Sequence, residues 1–203
     1  SSLRLLLLPG SARQPALPEG TRKITFTSGS TGTPKGVQVP HCAVVNILTD
    51  VKASIGVCER DAIPLVANIC FDISVLEMFL PLIAGGRLVL ASLQVVTDGK
   101  RLHDMLSANN ITVMNATPAT WRLLLQAGWT GMDKLTILSG GEALQTEFAA
   151  QLLSRARAVW NLYGPTETTV CASMSVPLEM PLLPVRPPIE ALSNPRRMLE
   201  RKT

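Results

Sequence analysis

Ten residues near the start of the chain, Thr27-Ser28-Gly29-Ser30-Thr31-Gly32-Thr33-Pro34-Lys35-Gly36, gather hydroxyls, glycines and one lysine directly after a β-rich run. Glycines let a backbone come close to a ligand and turn several N–H groups toward it. The hydroxyls donate to phosphate oxygens and the lysine adds positive charge, so the stretch has the chemistry of a triphosphate cradle. It is not a P-loop, because Lys35 follows Pro34 and is itself followed by Gly36 where Ser or Thr is required. A flexible Gly/Ser linker is the plainer alternative, but linkers rarely sit between β-rich runs.

The elements that must hold this loop alternate along the chain. KITFT (23–27) predicts a strand entering the loop, and Pro40 opens a helix through Val44, Val45, Ile47 and Leu48. Strands follow at 63–67 and 87–91. Between them Asp72 is placed to cap a helix over ISVLEMFLPLI, which Pro81 should kink or end. Asp98 starts the helix GKRLHDMLSANN, with Leu102, Met105 and Leu106 on one face. Next come a strand ITVMN, a helix from Pro118 to Leu125, and a strand LTILS ending at Gly140-Gly141. A helix striped by Leu144, Phe148, Leu152 and Leu153 then leads to the strand AVWNLYG. The expected class is α/β, a mostly parallel sheet covered by helices, with ligands bound at the C-terminal ends of the strands. The expected organisation is a loop-like segment at 1–20, a folded domain at 21–176 and a Pro-rich disordered tail at 177–203.

Composition narrows the function classes. Of 203 residues, 46% are hydrophobic and 17% charged, which suits a folded domain. The net charge of +4 owes much to Arg186, Arg196, Arg197, Arg201 and Lys202 near the end. No basic stripe interleaved with aromatics suggests nucleic-acid binding. The Leu5–Leu8 run is too short for a signal peptide, and no stretch approaches the roughly 20 apolar residues of a membrane span. Cys42, Cys58, Cys70 and Cys171 form no CxxC pair; three lie in apolar stretches, where buried free thiols and a cytoplasmic location are expected. His41 and His103 read as surface or capping residues, and Trp121, Trp129 and Trp160 as core.

TSGSTGTPKGV closely resembles the signature of the adenylate-forming (AMP-binding) superfamily. Asn161-Leu162-Tyr163-Gly164-Pro165-Thr166-Glu167-Thr168-Thr169 is similar to its NxYGPTETT motif. Phe71-Asp72-Ile73-Ser74-Val75-Leu76-Glu77 is similar to the FDxSxxE motif of the nonribosomal peptide synthetase branch. All three stand in the family's order, and the similarity runs from about residue 22 to 175. The resemblance implies part of the N-terminal domain of an adenylate-forming enzyme. It implies that Thr27, Ser28, Gly29, Ser30, Thr31, Gly32 and Lys35 hold the β- and γ-phosphates of ATP. Gly140, Gly141, Glu142 and Ala143 would lie along the adenine, Asn161 would bond its amine, and Tyr163, followed by Gly164, would stack on the ring. Thr166 would contact the α-phosphate and Glu167 would ligate Mg²⁺. Tyr163 as a core residue and Glu167 as a helix-terminal carboxylate are the structural alternatives.

Asp72 separates the branches. In amino-acid-activating members an aspartate here pairs with the substrate's α-ammonium, and a buried carboxylate needs such a partner. By the same resemblance Ile73, Leu76, Asn115, Leu138, Gly140, Leu162, Val170 and Cys171 line the side-chain pocket. That lining is aliphatic with one amide, which favours a small neutral amino acid. It looks similar to pockets assigned to glycine, from which Asn115 and Cys171 depart. In a complete synthetase the partner would be a carrier protein's phosphopantetheine arm. The family's ribose-binding aspartate, hinge and small C-terminal domain with its catalytic lysine have no match here, so the chain by itself is expected to be inactive, with exposed sheet edges and apolar faces. An acyl- or aryl-acid CoA ligase and a non-enzymatic remnant are the competing readings.

Overall fold

The computed structural model of the chain describes residues 21–27 and 35–176. The segments expected at 1–20 and 177–203, and the loop residues 28–34, lie outside them. Strands β1 (Thr21–Thr27) and β2 (Lys35–Pro40) form an antiparallel hairpin in which Thr27 pairs with Lys35. The register therefore brings the two ends of the Gly/Ser/Thr loop side by side.

Helix α1 (His41–Ile55) follows, with Pro40 as its extended N-cap residue and Gly56 closing it at φ 74°. Strand β3 (Ala62–Leu65), helix α2 (Ser74–Ala84) and β4 (Arg87–Leu90) make a parallel βαβ unit. After the short helix α3 (Leu93–Val96) comes α4 (Gly99–Ala108). There Asp98 accepts from the N–H groups of Lys100 and Arg101, satisfying donors that the first turn leaves orphaned. Strand β5 (Val113–Ala116), helix α5 (Pro118–Gln126), β6 (Met132–Ser139), α6 (Thr146–Leu153) and β7 (Ala156–Tyr163) continue the alternation. β5, β6 and β7 pair in parallel, and β8 (Ser173–Ser175) adds to β7 antiparallel. The N–H of Thr112 donates to the Ala62 carbonyl at 3.0 Å, which sets β3 beside β5.

Strand periodicity divides the core. Val113, Leu138 and Leu162 face one way and pack with Ile47, Leu48 and Val51 of α1 and Val75, Leu76 and Leu80 of α2. Met114, Ala116, Ile137 and Val159 face the other way and pack with Leu102 and Leu106 of α4, Trp121 and Leu124 of α5, and Leu152 of α6. Each large aliphatic side chain so enclosed is worth about 1.5–3 kcal/mol of apolar transfer. The α/β class, with parallel strands and helices on both faces, is as expected.

Three local expectations need correction. Asp72 does not cap α2. Ile73 is the N-cap residue, and the Asp72 carboxylate accepts only the adjacent Ile73 N–H, at 2.8 Å. Pro81 does not end α2, which runs on to Ala84 and stops at Gly85 in the left-handed conformation. Of the four cysteines only Cys171 is buried; Cys42 and Cys70 are exposed on the first turn of α1 and in the loop before α2. Trp121 and Trp129 are buried against each other, ring centroids 6.0 Å apart, and Trp160 is half-buried against the first core.

Candidate active site

The strand ends after β5, β6 and β7 converge with the start of α2 and the segment that returns to β8. Asn115 pairs in register with Leu138, and Leu138 with Trp160, so Asn115, Leu138 and Leu162 share one sheet face. Leu76, Leu138, Leu162, Val170 and Cys171 belong to one buried cluster with Ile73 packed against it. Asp72 stands half-buried one residue before Ile73. Its second oxygen, Oδ2, has no protein partner among the described residues. Gly140 follows β6 and stands against the next strand: a Cβ there would lie 3.1 Å from both Cβ and the carbonyl oxygen of Leu162. The structure thus brings Ile73, Leu76, Asn115, Leu138, Gly140, Leu162, Val170 and Cys171 together.

Asn161 and Tyr163 occupy the alternate positions of β7, and Asn161 pairs with Ser139 on the face opposite the aliphatic cluster. Tyr163 is 69% exposed, which rules out a core role. Gly141 (φ 82°), Glu142 and Ala143 form the exposed loop leaving β6. Asn161 and Tyr163 therefore lie on the sheet face opposite the aliphatic cluster, while Gly140, expected in both groups, stands against Leu162.

Beyond Gly164 and Pro165, a 3-10 turn at Thr166–Thr168 presents Glu167 to solvent with Thr166 half-buried beside it. Strand β2 packs beside this turn, so the hairpin that carries the Gly/Ser/Thr loop reaches the same corner. Ser28, Gly29, Ser30, Thr31 and Gly32 lie outside the described residues. Among the described residues no group of three or more His, Cys, Asp or Glu side chains gathers to hold a metal. One exposed carboxylate fits Mg²⁺, which takes most of its remaining ligands from phosphates and water. Thr169 (φ 63°) and Val170 (φ 69°) are β-branched residues in the left-handed region, a strained conformation costing about 1–3 kcal/mol each. The strain falls where the turn hands over to the aliphatic cluster.

Two polar residues here were given no role from sequence. Glu77, on the inner face of α2, is buried; its Oε2 accepts the N–H groups of Val66 at 2.7 Å and Ala67 at 2.8 Å, and its Oε1 accepts from Asn115 Nδ2 at 2.9 Å. Burial raises the Glu77 carboxyl above the usual range, against the opposing pull of these hydrogen bonds. Ser139, the last residue of β6, is buried, and its hydroxyl has no hydrogen-bond partner among the described residues. The signal for Glu77 was available: it is the single charge in an otherwise apolar helix. Cys171, buried and donating to the Ser173 carbonyl, has its thiol pushed up to about 11 by desolvation.

The sequence pattern of the family described as AMP-binding enzyme matches residues 8–191. The PKS-NRPS hybrid synthetase acdB of Aspergillus candidus is 40% identical over 163 residues, 80% of this chain and 6% of that protein. The structure of holo-AB3403, a four-domain nonribosomal peptide synthetase bound to AMP and glycine, superposes with a TM-score of 0.73 at 40% identity. The match covers 77% of this chain and 12% of that one. The Vibrio cholerae adenylation domain AlmE, in complex with glycyl-adenosine-5'-phosphate, gives a TM-score of 0.72 at 25% identity over 80% of this chain and 32% of its own. The chain thus spans a small part of the relatives it matches. It belongs to the AMP-binding enzyme family, among the adenylation domains of nonribosomal peptide synthetases.

Proposed function

We propose that the chain forms the nucleotide- and amino-acid-facing part of an adenylation domain that activates a small neutral amino acid, glycine foremost. The observation that carries this is the closed aliphatic cluster of Leu76, Leu138, Leu162 and Val170, with Asp72 at its edge. Such a lining offers no partner for a charged side chain and little room for a bulky one, while Asp72 keeps an oxygen free for an α-ammonium. Two structural neighbours carry glycine or its adenylate, which supports the same substrate. A fatty- or aryl-acid ligase has no ammonium for Asp72 to meet.

The reaction is attack of a substrate carboxylate oxygen on the α-phosphorus of ATP. The new P–O bond forms as the bond to the β,γ-pyrophosphate breaks, giving aminoacyl-AMP and pyrophosphate. In this reading Asp72 orients the amino acid, and the loop from Thr27 to Lys35 steadies the leaving phosphates. Asn161 and Tyr163 hold the adenine on the other side of the sheet, and Thr166 meets the α-phosphate. Mg²⁺ at Glu167 would neutralise charge on the triphosphate. The chemistry is mainly positioning and charge neutralisation. A carrier-protein phosphopantetheine thiol would receive the aminoacyl group in a complete synthetase.

ATP–pyrophosphate exchange by a synthetase carrying this segment tests the reading. Glycine is expected to drive exchange and Asp72→Ala to abolish it. Preference for a large or charged amino acid would overturn it. The 203-residue chain alone is expected to form no aminoacyl-AMP.

A further inference from the structure

The Glu77 carboxylate joins three elements: it stands on α2, takes the two N–H groups leaving β3, and takes the amide nitrogen of Asn115 on β5. It is 1% exposed and Asn115 5%. An ionised carboxylate only accepts hydrogen bonds, so the NH₂ of Asn115 must face it and the amide oxygen must turn away. That oxygen, Oδ1, is buried with no hydrogen-bond partner among the described residues. It lies on the sheet face of Leu138 and Leu162, among the residues assigned above to the amino-acid pocket. Buried carbonyls are rarely left so unless something else supplies the donor.

We propose that Glu77 is a positioning residue that sets the hydrogen-bonding sense of the amino-acid pocket. It holds Asn115 so that the wall beside Leu138 and Leu162 presents an acceptor, suited to an N–H or O–H donor on a small amino acid or on a water held with it. This role rests on the pocket assignment proposed above.

The arrangement contains its own complement. Glutamine at position 77 keeps the volume, and its carbonyl must accept from Val66 and Ala67. Its NH₂ then faces Asn115, which must turn its oxygen outward to α2 and its nitrogen into the pocket. Protonation of Glu77 acts the same way, because Oε1 then carries an O–H that donates to the Asn115 oxygen. The influences on this carboxyl are burial and its three hydrogen bonds, with no other charged side chain among them.

The Asn115 side-chain resonances of the full chain, isotope-labelled, report the orientation. At neutral pH the Asn115 NH₂ protons are expected to exchange with water about tenfold more slowly than those of exposed Asn110. In Glu77→Gln that protection is lost while backbone amide shifts in β5, β6 and β7 stay in place. Acidifying the unsubstituted chain must give the same change, which keeps the test open if the variant fails to fold. An Asn115 NH₂ signal that ignores both perturbations overturns the positioning role; a structural tie alone predicts lower stability with the orientation unchanged. Glycine with AMP is then added, and the Asn115 side-chain carbonyl carbon is expected to shift. If the orientation obeys Glu77 but this carbon does not respond, the pocket assignment fails, and the acceptor's role in it fails too.

Discussion

Gly164 is one of the described glycines at which the fold leaves no space for an added atom. A Cβ there would stand 2.5 Å from the Ala172 nitrogen, 2.7 Å from Cys171 Cα and 2.9 Å from the Cys171 carbonyl carbon. All three are backbone atoms, so relief requires the segment leading into β8 to move away from β7. That segment is tied back by the Ala172 N–H, which donates to the Tyr163 carbonyl at 2.8 Å. Overpacking of this kind costs about 1–3 kcal/mol, and a weakened backbone hydrogen bond adds about 1 kcal/mol. Gly164→Ala is therefore expected to lose about 2–4 kcal/mol, a fall in Tm of roughly 5–15 °C at this size. Gly128→Ala is the control: its φ of 86° strains alanine, but among the described residues nothing lies within 4 Å of the new Cβ. That change should cost about 1–2 kcal/mol from backbone conformation alone. Urea denaturation followed by fluorescence of Trp121, Trp129 and Trp160 measures both. A loss at Gly164 smaller than at Gly128, or under about 0.5 kcal/mol, would refute the reasoning.

Other perturbations read different parts of the structure. Because burial raises the folded-state pKa of Glu77, its contribution to stability is fully present below the unfolded value and is lost as pH rises through the folded one. The stability of Glu77→Gln relative to the unsubstituted chain should therefore grow from pH 4 to pH 8 in urea melts; a constant difference would contradict this. With Cys171 buried and its thiol pushed up to about 11, iodoacetamide at pH 8 should modify exposed Cys42 and Cys70 while Cys171 stays unlabelled until the chain unfolds, as read by peptide mass mapping. Asp98→Ala removes the acceptor for the Lys100 and Arg101 N–H groups and should cost about 1 kcal/mol, whereas Asp98→Asn should recover most of it.

Much of this architecture was legible from local chemistry. Asp98 before a helical stripe, Pro118 at a helix start and Gly140-Gly141 after an apolar run each act through neighbours in sequence, and each element formed where expected. The misreadings turned on what local chemistry does not fix: packing against distant elements, or a helix start displaced by one residue. Proline at position 81 removes one backbone donor late in α2, and burial of Leu80 and Pro81 in the first core holds the last turn in place. Asp72 resembles a cap in sequence, but the chain enters the helix one residue later through Ile73. Cys42 follows Pro40 and precedes apolar residues, yet it sits on the solvent side of α1, since α1 buries only Ile47, Leu48 and Val51. Within the site, the motifs marked Asp72, Asn161 and Glu167. The Glu77–Asn115 bond, which spans 38 residues, could not be seen until α2 and β5 were packed together.

The outer side of α2 has a consequence for handling the molecule. Phe79, Leu82 and Ile83 are exposed there, and Leu90 and Leu93 are exposed around the end of β4. Apolar groups so placed, close to a strand whose outer edge is unpaired among the described residues, favour self-association when the chain is concentrated. Solubility of the 203-residue chain should therefore be limited by this flank well before it is limited by folding. Polar replacements at Leu82 and Leu90, outside both buried cores, are the natural route to samples dilute detergent would otherwise be needed to keep monomeric.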